Sequence, residues 1–529
     1  MSIWSHVGRN GTKPSGEHMQ TRPTQSVAGG LAGKPTPGIP STWRADEVAP
    51  ENVNALRAIV GDANVLTSVA DRYAYARDRL PYGLFKLRTG ELPGTLPSAV
   101  VIPGSEVELI AIVHLANRER LRLIPFGAGS GVLGGAIALN CEVMVDLKRM
   151  NRLVELNEMD GTVTVEAGMN GGHFEEQLNA RGFTANHLPQ SIYMSTVGGW
   201  AACRGAGQAS SRYGKIEDIV VGLKAILPDG RSLEVRPVAR RAVGPSIKDL
   251  LIGSEGVFGF ITELTLRIGR QAQVRRGVTL AFPTLQSAMD ALRGIVQEEG
   301  RPSVMRLYDL EESTQRTEGL PAFVGRPILV ILQFSGPALL AQAEEAFAMQ
   351  ICESHGGCVA ENRPYEHWEE TRYQSYSIKW QTAGYYMDTI EITGAWSALP
   401  RMYERMRAAV LALHPGAYFG AHWSHIYPEG ACQYMTVRLP PMPEKEALVL
   451  HRKAWQEVQE ICLELNGSIA HHHGVGVFRN EWLRKELNSG MDMLQILKDG
   501  IDPHNLLNPG KVGLRAHADS AQLEQGASL

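Results

Sequence analysis

Pro125-Phe126-Gly127-Ala128-Gly129-Ser130-Gly131 is the stretch on which the reading of this chain turns. It begins where the apolar run of Leu121, Leu123 and Ile124 stops, so it reads as a glycine loop leaving a buried strand. Glycines at this density let backbone N–H groups converge on an anion such as a pyrophosphate. Two downstream segments share the texture: Ser195-Thr196-Val197-Gly198-Gly199-Trp200 and Gly253-Ser254-Glu255-Gly256-Val257-Phe258-Gly259-Phe260-Ile261-Thr262. Three such loops in one chain point to a long, phosphate-bearing ligand wrapped by several of them.

A dinucleotide-binding βαβ unit is the competing reading. Gly129, Gly131 and Gly134 match its bare spacing, and Asp146 lies at a suitable distance. The context fails, because Cys141 to Leu147 is a second strand-like run and no amphipathic helix intervenes.

The composition narrows the class. A chain of 529 residues with net charge −4 is long enough for two or three domains and shows no excess that would recommend nucleic acid. No apolar run reaches the roughly 18 residues of a membrane span, and the amino terminus lacks a signal-peptide core. The six cysteines show no C-x-x-C pairing, which fits a reduced, cytoplasmic setting.

Residues 1–45, rich in Gly, Pro, Ser and Thr, read as a flexible extension, and 513–529 as a disordered tail. Ser105-x-x-Glu108 is a capping box opening a helix with Leu109, Ile112, Val113 and Ala116 on its apolar face. Short strands follow at 142–147, 162–166, 219–227 and 259–268, giving an α+β domain over 46–270. Beyond it, helical stretches at 285–299, 338–354, 397–413 and 444–465 alternate with strands at 328–334 and 387–393. That pattern predicts a cap domain over 271–475, an antiparallel sheet covered on one face by helices, and then a returning segment over 476–512.

With these motifs in place, the chain resembles the flavoproteins of the vanillyl-alcohol oxidase/p-cresol methylhydroxylase type, most similarly their alkyldihydroxyacetonephosphate synthase branch. The resemblance rests on Pro125 to Gly131, Gln190 to Arg204, Tyr213 to Asp218, Gly253 to Thr262, Arg306-Leu307-x-Asp309 and His471-His472-His473-Gly474-Val475-Gly476. The stretch Asp502 to Lys511 is more like the glycolate and D-lactate oxidising relatives. The resemblance implies a two-part FAD-binding domain and FAD itself.

It places the pyrophosphate on Pro125, Phe126, Gly127, Ala128, Gly129, Ser130 and Gly131. The flavin and ribityl region falls on Gln190, Ser191, Ser195, Thr196, Gly198, Gly199, Cys203, Arg204, Gly205 and Ala206. Glu255, Gly256, Gly259 and Ile261 fall on the adenine side. Some relatives attach the flavin to a histidine of the first loop; residues 125–135 contain none, so non-covalent FAD is expected.

For chemistry the resemblance selects Tyr434, as a proton-moving tyrosine, and the triplet His471, His472 and His473 beside the flavin. Histidine suits the role because its ordinary pKa near 6.5 allows proton exchange at neutral pH. His472 and His473 rank above His471 if the triplet is a strand whose neighbours face opposite ways. Hydroxyacid-dehydrogenase relatives carry two histidines and a glutamate as metal ligands in this region. Here His472 stands at the glutamate's place, leaving His425 and His473 without a carboxylate, so no metal is expected.

Lys379 stands where the synthases have an arginine over the flavin, and Arg306 keeps its family counterpart. Lysine keeps a point charge but loses the bidentate fork. The expected activity is oxidation of a small anionic or phenolic hydroxy compound, with an electron acceptor the sequence does not name. The alternative is a synthase-like exchange of a fatty acyl for a fatty alcohol without net oxidation. Relatives are often dimers, so a homodimer is expected.

Overall fold

The computed structural model describes residues 48–81, 95–140, 142–374 and 377–515. The N-terminal extension and residues 516–529 of the tail lie outside them.

Short, mostly apolar runs make the first sheet: β1 (Val65–Leu66), β2 (Ala99–Val101), β3 (Leu123–Phe126) and β4 (Val143–Asp146). Their order is β1-β2-β4-β3, with β4 parallel to both neighbours. The helix Glu106–Glu119 crosses from β2 to β3; Ser105 Oγ accepts the Glu108 N–H at 3.2 Å, and Leu109, Ile112, Val113 and Ala116 are buried as the pattern required. Between β3 and β4 there is no helix, so the first glycine loop hangs from the carboxyl end of β3.

The second sheet is antiparallel, in order β5-β6-β10-β8-β9: β5 (Leu153–Asn157), β6 (Thr162–Glu166), β8 (Val220–Ile226), β9 (Ser232–Val235) and β10 (Phe260–Arg267). A two-stranded ribbon pairs β7 (Phe183–Thr184) with β11 (Gly269–Arg270).

The third sheet has seven antiparallel strands in the order β15-β12-β14-β13-β17-β18-β16. They are β12 (Val274–Phe282), β13 (Val304–Tyr308), β14 (Ile328–Gly336), β15 (Cys358–Val359), β16 (Tyr386–Ala395), β17 (Tyr418–Ile426) and β18 (Gly430–Leu439). Leu280, Phe282, Val330, Leu332 and Phe334 share one apolar core with the helices Leu285–Gln297, Ala338–Ser354, Leu399–Ala412 and Glu444–Glu464. The alternate residues Ala281, Leu329 and Ile331 turn to the opposite side and pack with Tyr365 and Trp368.

After helices Asn480–Leu487 and Ser489–Ile501 the chain returns to the first sheet, where Leu507 bridges Leu123 in parallel and the Leu123 N–H donates to the Leu506 carbonyl at 2.7 Å. The chain stays packed through Leu514, which is 4 % exposed. Among the described residues no helix is long and apolar enough to cross a membrane.

Candidate active site

The three glycine loops meet. A Cβ on Gly127 would collide with Thr196 Oγ1 of the second loop, and one on Gly256 would lie 2.6 Å from Pro125 Cγ. Gly256 also has φ +81°, so its conformation and its contact both select glycine. Thr196 caps the helix Val197–Ala202 by accepting the Gly199 N–H at 3.2 Å. Gly253 and Glu255 tie the third loop to that helix by donating to the Ala201 and Ala202 carbonyls, each at 2.9 Å.

Three observations fit these loops to a long phosphate-bearing cofactor. Among the described residues no protein acceptor meets the backbone N–H groups of Ala128, Gly129 and Ser130, as an anion cradle requires. A cleft of about 670 Å³ opens beside them, lined by Ala128, Lys148, Gly168, Asn170 and Thr196. Finally, His187 is buried against Trp200, its ring 4.8 Å away, with neither nitrogen hydrogen-bonded to protein. Burial, helped by the Lys215 charge, pulls its pKa down to about 3, so it is a neutral imidazole.

The individual residues of the second and third loops divide by role. Ser195 is spent on structure, its hydroxyl accepting from Trp200 Nε1 at 2.7 Å and donating to the Ser191 carbonyl at 2.8 Å. Gln190 reaches away to the Gln374 carbonyl at 2.7 Å. Glu255 is buried, and its carboxylate accepts the N–H groups of Val475 at 2.6 Å and Gly476 at 2.9 Å. Its side chain therefore ties the third loop to the segment after the histidine triplet.

The sheet supplies the other wall. In the register of β16, β18 and β17, Glu391 pairs with Tyr434 and Tyr434 with His422, so the three side chains emerge on one face. Tyr434 is stacked with His422 at 4.8 Å and His472 at 6.0 Å, and meets His473 edge-on at 5.5 Å. His425 stacks on His471 at 4.8 Å. A register shift between Trp423 and His425 lets two histidines three residues apart in β17 join one cluster; in an unbroken strand they would face opposite ways.

The triplet is not a strand. Pairing ends at the Thr393–Ser468 bridge, and 471–473 form a bend. The expectation of alternating faces is thereby corrected, and the physical reason is Glu391. Its carboxylate accepts the His471 N–H, the His473 N–H at 3.1 Å and Arg479 Nη1 at 2.8 Å, so the peptide folds around it instead of along a neighbouring strand. All three rings then fall together, His471 to His472 at 5.1 Å and His472 to His473 at 4.5 Å.

A hydrogen-bond chain runs through part of the set. Tyr427 OH meets His471 Nε2 at 2.9 Å, and His471 Nδ1 meets His472 Nδ1 at 2.9 Å. His425 Nδ1 meets Ser210 Oγ at 2.7 Å. Ligand-type atoms of His425, His471 and His472, and of Glu391, Cys432 and His472, approach within 4.8 Å. A carboxylate thus does stand beside the histidines, but Arg479 and two peptide groups occupy it.

Burial sets the electrostatics. It pulls His471 down to about 3 and His422 to about 4, puts His425 and His472 well below the ordinary imidazole value, and lowers His473 as well. Burial also pushes the Tyr434 phenol up. Glu391 moves the other way: burial opposes its charge, but Arg479, His473 and His471 together hold its carboxyl down at about 2.

Arg306 lies within electrostatic reach of His422 and His425. Its Nε donates to Tyr308 OH at 2.8 Å; Glu312 lies within electrostatic reach, but among the described residues no carboxylate comes to ion-pair distance. Lys379 is not gathered in. It lies exposed on the helix Ser377–Thr382, its Nζ 5.6 Å from the Trp380 ring centroid.

The matches to known proteins agree with this geometry. Residues 97–236 match the model of an FAD binding domain, and residues 271–512 the C-terminal domain of FAD linked oxidases. The chain belongs to the FAD-linked oxidases. Its cofactor is FAD, and it is an enzyme. It is 26 % identical over 532 residues to alkyldihydroxyacetonephosphate synthase of Trypanosoma brucei brucei, covering 92 % of this chain and 85 % of the relative. It is 27 % identical over 477 residues to a probable mitochondrial D-lactate dehydrogenase of Danio rerio, covering 87 % and 91 %. Among solved structures, alkyldihydroxyacetonephosphate synthase superposes with a TM-score of 0.74 at 24 % identity, covering 88 % of this chain and 86 % of that one. Substrate-bound p-cresol methylhydroxylase superposes at 0.70 with 14 % identity, covering 88 % and 96 %. The fold is therefore α+β of the p-cresol methylhydroxylase type.

His422, Glu391, His187 and Arg479 were not singled out from sequence. The pair His422-x-x-His425 inside an apolar strand was the one available signal.

Proposed function

We propose that this protein oxidises a small hydroxy compound bearing an anionic or phenolic group. FAD, when bound, supplies the acceptor for the hydride. The chain's own part is to take the hydroxyl proton, and the observation that carries the reading is the buried set of neutral imidazoles packed around Tyr434. A phenol pushed up by burial is protonated at neutral pH and makes a poor base. A neutral imidazole retains its lone pair, so the base is a histidine and Tyr434 orients the substrate oxygen or relays its proton. Arg306, half-buried and with no carboxylate at ion-pair distance among the described residues, is the cation best placed for an anionic group. Lys379 is available to a substrate's outer end only, because its side chain is exposed.

Anaerobic mixing of the flavin-loaded protein with a panel of 2-hydroxy acids, alcohols and phenols tests this. Bleaching of the flavin by one class, abolished in Arg306→Met for anionic substrates only, is the expected result. The similarity to the synthase of Trypanosoma brucei brucei favours a second reading, redox-neutral exchange of an acyl for an alkoxy group. Release of fatty acid from acyl-dihydroxyacetone phosphate with no member of the panel bleaching the flavin would establish that reading in place of the first.

A further inference from the structure

Three contiguous imidazoles are chemically redundant unless something distinguishes them. Two are bound up with neutral partners. His471 spends Nε2 on Tyr427 and Nδ1 on His472, so one hydrogen is shared between His471 and His472 in an uncharged chain. His473 differs. Its Nδ1 is buried without a hydrogen-bond partner, it stands 3.8 Å from Glu391 Oε1, and its ring meets Tyr434 edge-on.

Glu391 is fully buried on β16, directly opposite Tyr434. Its two oxygens hold the N–H groups of His471 and His473, and Arg479 locks the arrangement by donating to the Glu391 carboxylate, the Glu391 carbonyl at 2.8 Å and the Gly474 carbonyl at 2.9 Å. One carboxylate therefore fixes both ends of the triplet, and among the three rings it comes within ion-pair distance of His473 alone, at 3.8 Å.

We propose that Glu391 is the positioning residue of this site, folding the triplet so that His473, and not His471 or His472, is the imidazole that takes up the substrate proton. The inference rests on the oxidoreductase reading for the proton's origin. The O–H bond of the substrate breaks, an N–H bond forms on His473, and the imidazolium produced is balanced by Glu391. The charged and titratable groups facing His473 are Glu391 and Asp388 from β16, Tyr434 from β18, His471 and His472 of its own loop, and Arg479. Burial, the largest influence, and Arg479 oppose its protonation, and the two carboxylates favour it. His472 also lies within 4.8 Å of the Glu391 carboxylate but makes no ion-pair contact with it, and its strongest electrostatic neighbours are three other imidazoles and Lys215.

The test is a proton titration of the flavin-loaded protein labelled with ¹⁵N-histidine, each triplet signal assigned by a His→Gln variant. His473 should be the first of the three to protonate as pH falls. Glu391→Gln should lower its midpoint by about one pH unit or more, while keeping an amide-sized acceptor for the loop. His471 or His472 protonating first, or an unmoved His473 midpoint in Glu391→Gln, would overturn the proposal. Should Glu391→Gln lose its flavin, Arg479→Lys keeps the carboxylate and its two peptide bonds. There His473 must still protonate first, and another order counts against the idea. No substrate enters this measurement, so its failure and that of the proposed reaction are read separately.

Discussion

Tyr434 is the residue whose expected chemistry the fold changes most. As a strand tyrosine it could have been a base, but burial raises its phenol, and the carboxylates of Glu391 and Asp388 push in the same direction. Tyr434→Phe should therefore leave flavin content and the pH optimum unchanged and lower the rate of flavin reduction by roughly 10²-fold, the scale of one lost proton relay. A variant that loses flavin would make the tyrosine structural. The histidines around it set the acid limit of the fold. Six imidazoles, those of His187, His422, His425, His471, His472 and His473, are held below the ordinary value. Below pH ~6.5 the unfolded chain binds protons that the folded chain refuses, so stability falls as pH drops, at up to about 1.4 kcal/mol per pH unit for each group. Asp78 and Asp309, raised by burial to about 6, and Glu175 and Glu255, also raised by burial, oppose this by taking protons in the folded state. They are four carboxyls against six imidazoles, and Glu312 and Glu391, held at about 2, add to the acid loss. Thermal unfolding should show a steep loss of stability from pH 6.5 towards 4; a flat profile would mean these rings are solvated.

At the scale of elements, local pattern was legible and long-range pairing was not. The helix Ala338–Ser354 and the strand Thr162–Glu166 have the bounds their patterns implied, because apolar periodicity is a local property. The first glycine loop was separable from a dinucleotide-binding turn by the missing helix alone, and its neighbours are the ones expected. The bend of the triplet is not legible locally, because its conformation is dictated by Glu391, a residue far away in the chain. The β17 register shift was equally hidden, since a strand's spacing does not announce an extra residue. The convergence of loops carries its own prediction. Gly256→Ala places a methyl 2.6 Å from Pro125 Cγ at a positive φ, so the third loop must withdraw from the first. The variant should fold with a destabilisation of about 1–3 kcal/mol and purify with a reduced flavin-to-protein ratio. Full flavin occupancy at wild-type affinity would show that the two loops need not touch.

The molecule as a whole is joined at the glycine loops by buried polar groups drawn from distant parts of the chain. Lys511, at the end of the returning segment, has no exposed surface and donates to the Ile137 carbonyl at 2.5 Å. Burial pulls its pKa down to about 8, and Glu142, Asp78 and Glu255 resist that fall. Asp78 in turn accepts the Gly134 N–H at 2.8 Å just past the first loop, while Glu255 holds Val475 and Gly476 after the triplet. Asn508 adds a bond of 2.6 Å to the Glu255 carbonyl and one of 3.2 Å to the Gly135 carbonyl. One cation at the carboxyl end thus compensates carboxylates that shape the glycine loops, and one of these carboxylates reaches the loop that bears the histidines. Removing it takes that compensation from the buried carboxylates and leaves the Ile137 carbonyl without its donor, a loss of about 1–3 kcal/mol for an orphaned buried polar group. Lys511→Met should lower both the unfolding temperature and the flavin content. Adding Asp78→Asn should restore part of both, because it removes one of the stranded charges while an amide oxygen can still accept from Gly134. The two changes must then be strongly non-additive in a double-mutant cycle. Additive effects would mean that the lysine acts only through the Ile137 carbonyl, and that the carboxyl-terminal segment is a strap on the first sheet instead of part of the flavin site's electrostatic frame.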